Sequence, residues 1–177
     1  MKRSYRVLLL ADTHATVHPE IVALAHSADH VVHAGDIGHP DVLDRLRGDR
    51  NQVVAVRGNN DTAAKWPADR LPMLDALHNV AGLALPGGAI AIEHGHCANP
   101  ATQRHDILRR RHADARLIVY GHSHRQVIDD TCEPWVVNPG AAGRNRSYGG
   151  SGCILLEASS RRWKLQAFQF ALSDWKK

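Results

Sequence analysis

Apolar positions along this chain fall in short runs rather than long helical stripes. The first, Tyr5 to Ala11, is nearly continuous valine and leucine, as expected of a strand buried on both faces. His30 to Ala34 and Asn51 to Val56 repeat the pattern. Between the first two runs, Pro19 to His26 reads as a helix. Between the second and third, Pro40 opens a shorter helix over Asp41 to Leu46, with apolar residues at Val42, Leu43 and Leu46 and Gly48 at its end. Strand, helix, strand at this spacing implies parallel pairing with right-handed crossovers.

Beyond a loop from Arg57 to Pro72 the pattern changes. Ala81 to Leu85 and Ala89 to Glu93 flank Pro86-Gly87-Gly88 and read as two tightly connected strands. A helix is expected from about Pro100 to His112, followed by a strand from Arg116 to Tyr120. The remaining segments, Gln126 to Asp130, Pro134 to Val137, Gly152 to Glu157 and Trp163 to Phe170, read as strands. The last of them alternates Trp163, Leu165 and Ala167 with Lys164 and Gln166. An α/β chain with a second, largely antiparallel sheet packed on the first accounts for this order.

Composition narrows the class. With 177 residues, 44% hydrophobic and 23% charged, the chain fits one soluble globular domain over residues 1–177. No run approaches the roughly 18 apolar residues of a membrane span. Met1-Lys2-Arg3 before Val7 to Ala11 looks like the start of a signal peptide, but Asp12 and His14 cut the apolar run short. Cys97, Cys132 and Cys153 are odd in number and form no C-x-x-C pair, which argues against a disulfide framework and for a cytoplasmic protein. The net charge of +4 rests on arginine clusters at Arg109-Arg110-Arg111, Arg144/Arg146 and Arg161-Arg162. These read as solvated surface: they permit a nucleic-acid partner without demanding one.

The chemistry lies where the apolar runs end. Asp12 and His14 follow the first, Gly35-Asp36 the second, Gly58-Asn59-Asn60-Asp61 the third, and His94-Gly95-His96 and Gly121-His122-Ser123-His124 two later ones. Ends of strands are where open α/β sheets place their binding sites. Each motif alone has a plainer reading: an Asp after a strand caps helices, Gly-Asn-Asn-Asp makes turns, and a histidine sits anywhere on a surface. Their ordered recurrence at five strand ends reads as a two-metal site. A carboxylate such as Asp36 can bridge two cations, Asn59 can offer a neutral oxygen, and His94, His122 and His124 supply imidazole nitrogen.

The series Asp12-x-His14, Gly35-Asp36, Gly58-Asn59, His94-Gly95, Gly121-His122-x-His124 resembles the calcineurin-like metallophosphoesterase superfamily. With Asn138-Pro139-Gly140 near the end, it is similar to the small YfcE-type phosphodiesterase branch. The motifs run from Asp12 to Gly140. The resemblance implies an α+β sandwich of two packed mixed β-sheets flanked by helices, with the metal centre at the strand ends. It implies that Asp12, His14, Asp36 and His124 hold one divalent metal and that Asp36, Asn59, His94 and His122 hold the other. Carried over with it are hydrolysis of a phosphate ester by a metal-bridging hydroxide, a preference for diesters, and a plausible homo-oligomer. The mixed nitrogen and oxygen set suits Mn²⁺ first, with Fe, Co, Ni or Zn as alternatives. The rival is a scaffold that keeps the fold without catalysis, as the metallophosphoesterase-like subunit of the retromer coat does.

Position 60 departs from the pattern. Many superfamily members carry a histidine there, and Asn60 has no titratable proton. Asn60 can bond a phosphoryl oxygen, and His96, two residues past His94, can face the same mouth; these are the two candidate catalytic residues. Arg57 is a lesser candidate for a phosphate contact. Because histidines must be neutral to ligate, metal should be lost as pH falls below about 6.5. Metal content measured at pH 7.5 and pH 4.5 checks this, and equal content at both contradicts it.

Overall fold

The structure is a computed structural model that describes residues 4–175. In chain order its elements are β1 (Tyr5–Leu10), α1 (Pro19–Ser27), β2 (His30–His33), α2 (Pro40–Leu46), β3 (Gln52–Ala55), α3 (Leu71–Asp75), β4 (Val80–Leu85), β5 (Gly88–Glu93), α4 (Arg104–Arg111), β6 (Leu117–Val119), β7 (Val127–Asp129), β8 (Trp135–Asn138), β9 (Ser151–Ala158) and β10 (Trp163–Phe170). They form two mixed five-stranded sheets, ordered β10-β9-β1-β2-β3 and β4-β5-β6-β8-β7.

The first half follows the expected course. β1, β2 and β3 pair in parallel, with α1 and α2 as crossovers. Both helices begin His-Pro, and each histidine caps its helix: His18 Nδ1 accepts from the Glu20 amide and His39 Nδ1 from the Asp41 amide. Proline at the first position suits the start, since it removes an N–H that has no partner there.

The second half corrects the expectation. β9 and β10 do not join the second sheet; they extend the first as an antiparallel hairpin on β1. The second sheet is not largely antiparallel, because β5, β6 and β8 run parallel and only the β4 and β7 edges are antiparallel. Alternation along β10 marks one covered face and says nothing about which strand it pairs with. The Arg57 to Pro72 loop also holds two short 3₁₀ turns, Ala63–Lys65 and Ala68–Arg70, with α3 directly behind them. The expected helix from Pro100 opens as a 3₁₀ turn, Ala101–Gln103, and becomes α-helical at Arg104.

β1 is apolar throughout because both its faces are covered. Val7, Leu9 and Ala11 point between the sheets and pack with Ile90, Ile92, Leu117, Val119, Val137, Ile154 and Trp163. Leu8 and Leu10 face α1 and α2, with Ile21, Val42, Leu46 and Trp66. α4 covers the outer face of the second sheet through Leu108 against Ile118 and Val136. The parallel strands of both sheets therefore end at one rim. Leu9 is fully buried between the sheets, so Leu9→Ala should lower the unfolding free energy by about 2–5 kcal/mol. Denaturant titration checks this, and a change below about 1 kcal/mol would contradict the packing.

Candidate metal centre

Each predicted donor stands just past a strand on that rim. Asp12 and His14 follow β1, Asp36 follows β2, Asn59 follows β3, His94 directly follows β5, and His122 and His124 follow β6. Five of them, Asp12, His14, Asp36, His122 and His124, have left-handed backbones with φ between 43° and 67°. Such a residue costs roughly 1–3 kcal/mol and persists only where its surroundings impose it. The chain turns sharply inward at each strand end, so the next side chain faces the rim.

The loops are locked to one another. Asp12 and His14 donate their amides to the carbonyls of Gly35 and Asp36. Gly58 packs so close that a Cβ there would collide with the backbone nitrogen and carboxylate of Asp36. At Gly35, a Cβ would meet His94 Nδ1 at 2.8 Å, and φ is +89°. Asp61, to which the sequence reading gave no role, is buried and accepts from the amides of Ile37, Gly38 and Gly58. It ties the β2 loop to the β3 loop. Asn138 does the same for the β6 loop, donating to the Gly121 carbonyl and accepting from the Gly140 amide. A short polar residue at a turn was the available signal for both; its partners lie too far along the chain to be read.

Asp12, His14 and His124 bring one ligand atom each within 4.8 Å of the others, and so do Asp12, Asp36 and His94. His14 Nε2 and His124 Nε2 are 3.1 Å apart. His124 Nε2 lies 3.5 Å from Asp12 Oδ1. Asp36 Oδ2 lies 3.4 Å from His94 Nε2 and 3.8 Å from His14 Nε2, so it faces both groups. Donors about 2.1 Å from one cation would be separated by roughly 3.0–3.4 Å. Two histidines are oriented for ligation: Nδ1–H of His94 donates to the Ala34 carbonyl at 2.8 Å and that of His124 to the Asn145 carbonyl at 3.1 Å. A carbonyl only accepts, so Nε2 of each neutral ring keeps its lone pair for the rim.

Asn59 and His122 complete the arrangement at its exposed side, with Asn59 Oδ1 and His122 Nδ1 3.2 Å apart. The His122 ring lies edge-on to His94, centroids 5.4 Å apart. The His96 ring stands 5.6 Å from His94 and 6.3 Å from His122, half-buried. A cavity of about 110 Å³ beside His94 and His96 is also lined by Cys97, Glu93 and Arg111. A wider groove, about 510 Å³, lies along β4, β5 and the end of α4 and contains none of the donors.

Asn60 is turned inward. Its amide N–H and its side-chain Nδ2 donate to the two oxygens of Asp36, both at 2.8 Å. Arg57 is tied to its own loop, its Nε donating to the Asp61 carbonyl at 2.8 Å. Arg146, exposed after β8, lies near enough to influence Asp12, His14 and His124 electrostatically.

Charge is unevenly compensated. Burial alone would raise the Asp36 carboxyl, but His94 and the Asn60 donors outweigh it and hold Asp36 well below the usual carboxylate range. Asp12 accepts from the His122 amide at 3.1 Å, and burial, with the Asp36 charge beside it, outweighs that bond and the pull of His94 and lifts its carboxyl to about 7. Burial also lowers His14, His96, His122 and His124, leaving them neutral at neutral pH. Burial likewise pulls His94 down, but the facing carboxylates of Asp36 and Asp12 raise it overall. Among the described residues, the buried side-chain atoms without a hydrogen-bond partner include three at this rim: Asp12 Oδ2, His94 Nε2 and His96 Nδ1. Asp12 and His94 each bring a ligand atom within 4.8 Å of the other and of Asp36, and a cation there would satisfy both unpartnered atoms.

The family model for a calcineurin-like phosphoesterase superfamily domain matches residues 5–161. A probable metallophosphoesterase of Methanocaldococcus jannaschii is 28% identical over 116 residues, 65% of this chain and 54% of that protein, so the match spans about half of the relative's length. Vacuolar protein sorting 29 of Cryptosporidium parvum superposes with a TM-score of 0.74 at 16% identity, covering 96% of this chain and 100% of that one. An archaeal phosphodiesterase superposes with a TM-score of 0.63 at 17% identity, covering 92% and 99%.

The asymmetry between the carboxylates sets a test. Asp12's raised carboxyl costs the metal-free fold stability progressively as pH climbs from the ordinary 3.8 to about 7, and by a constant amount above. In chelator, Asp12→Asn should therefore melt above the wild type, with a gap that widens between pH 5 and pH 7.5. In Mn²⁺ the order should reverse, because only the wild type keeps this ligand. Thermal melts in both conditions check it; a gap independent of pH contradicts it.

Proposed function

Because the chain belongs to the calcineurin-like phosphoesterase superfamily, we propose that it is a hydrolase of phosphate esters working with two divalent cations, and that its substrate is a phosphodiester. The observation that carries this reading is the convergence of Asp12, Asp36 and His94, one ligand atom each within 4.8 Å of the others, with Asp12 Oδ2 and His94 Nε2 buried and unpartnered. In this reading Asp12, His14, Asp36 and His124 hold one cation and Asp36, Asn59, His94 and His122 the other. When bound, such cations polarise a phosphoryl group and acidify water near neutral pH.

The chain's own residues set the rest. Asp36 stays ionised because His94 and Asn60 stabilise its charge, so it can serve both cations without waiting on a proton. The Ala34 and Asn145 carbonyls keep His94 and His124 in the ligating tautomer. Asn59 contributes an oxygen without charge, which leaves the centre more positive toward an anion than a third carboxylate would. Asn60 gives its N–H groups to Asp36 and has no proton for a leaving group. Losing that help costs 10²–10⁴-fold on a poor leaving group, which favours diesters and esters with stable leaving groups. His96 lines the small cavity, and in this reading it meets the departing group.

Likeness to a vacuolar sorting protein supports a second reading, a scaffold, since the fold serves proteins of different names. The intact donor set favours catalysis: a scaffold has no use for five strained residues around converging, unpartnered ligand atoms. Likeness to an archaeal phosphodiesterase points the same way.

With Mn²⁺, the protein should hydrolyse bis-p-nitrophenyl phosphate faster than an alkyl phosphate monoester. Asp36→Asn should lower that rate on the order of 100-fold or more. Faster turnover of the monoester overturns the diester assignment. Full metal occupancy with no turnover of any ester selects the scaffold.

A further inference from the structure

We propose that Lys65 binds the phosphoryl group of the substrate, supplying at the mouth of the centre a positive charge that the Asn60 side chain lacks; the assignment rests on the phosphoesterase reading above. Lys65 Nζ donates to Asn60 Oδ1 at 2.9 Å. The same Asn60 donates to both oxygens of Asp36 at 2.8 Å. A single amide group therefore separates the Lys65 ammonium from the carboxylate that faces both donor groups of the centre.

The backbone fixes this placement. Lys65 ends the 3₁₀ turn Ala63–Lys65, and its amide donates to the Thr62 carbonyl at 2.9 Å. On one side stands Asp61, buried and holding three loop amides. On the other stands Trp66, 4% exposed and packed with the α1 and α2 core. Between two such anchors the Cα of Lys65 is pinned to the β3 loop while its side chain is exposed.

An ammonium has three N–H groups, and the bond to Asn60 uses one. The others can reach a non-bridging phosphoryl oxygen, a charge-assisted contact about twice as strong as a neutral one. Arg57, which the sequence offered for that task, spends its Nε–H on the Asp61 carbonyl, and among the described residues no contact links it to Asn60 or Asp36 as Lys65 is linked. A lysine on a plain surface would extend into water. This one folds back onto the residue that clamps Asp36.

Lys65→Met and Lys65→Arg in the full chain, loaded with Mn²⁺, test the assignment by calorimetric titration with inorganic phosphate and by metal analysis. Lys65→Met should keep its metal, bind phosphate about tenfold more weakly or worse, and raise KM for bis-p-nitrophenyl phosphate; Lys65→Arg should recover most of the affinity. Unchanged phosphate affinity in Lys65→Met overturns the assignment. So does loss of metal along with phosphate, since Lys65 would then merely be holding Asn60 in place. Failure of the underlying reading looks different: the metal-loaded wild type would neither bind phosphate nor hydrolyse an ester, and the Lys65 assignment would fall with it.

Discussion

Two carboxylates enclosed at the rim of a sandwich are the constraint around which the site is arranged. A buried carboxylate must be neutralised by protons, hydrogen-bond donors or cations. Asp36 receives donors from Asn60 and faces His94. Asp12 receives one amide and has one oxygen with no partner. The fold thus solves the problem locally for one carboxylate and leaves the other for something from outside. Left-handed backbones at Asp12, His14, Asp36, His122 and His124 belong to the same compromise. Strain in the rim is sustained by the apolar strands beneath it, which are covered on both faces and have little freedom to relax.

Topology makes that compromise possible. Three parallel strands in one sheet and three in the other end on the same rim, so donors far apart in the chain arrive together without a long loop. The antiparallel strands at the sheet edges contribute none of these donors. Asn138, at the end of β8, is the exception that proves useful from the parallel set: it holds the β6 loop instead of facing the centre.

Much of this was legible in the residues. Valine and leucine runs followed by Asp, Asn or His marked both the parallel strands and the donors, because a strand buried on both faces leaves a strong signal and its end is punctuated by polar residues. What was not legible depended on pairing. Trp163 to Phe170 alternates like any half-covered strand, and nothing in that alternation reveals that it extends the first sheet. The same limit hid the roles of Asp61 and Asn60. Asp61 is a turn residue by type and became a loop anchor only through Ile37, Gly38 and Gly58. Histidine type was equally ambiguous: His18 and His39 cap helices, His105 and His112 pair with Asp129 and Glu93, and only position relative to strand ends separated these from the donors.

Burial grades across the centre, and the grade gives the site a direction. Asp12, Asp36, His94 and His124 are at most 3% exposed, whereas Asn59 is exposed and His122, His96 and Asn60 are half-buried. The open side of the centre is therefore that of Asn59 and His122. Donors at the closed end lose water on folding and act in a low dielectric, where charge interactions are strong. Those at the open end stay partly hydrated and can exchange ligands. A phosphate ester arriving there meets its exchangeable contacts first, while the enclosed carboxylates hold the charge that draws cations in. Under the proposed function, this ordering would let the anchoring residues at the closed end differ from those that exchange contacts at the open end.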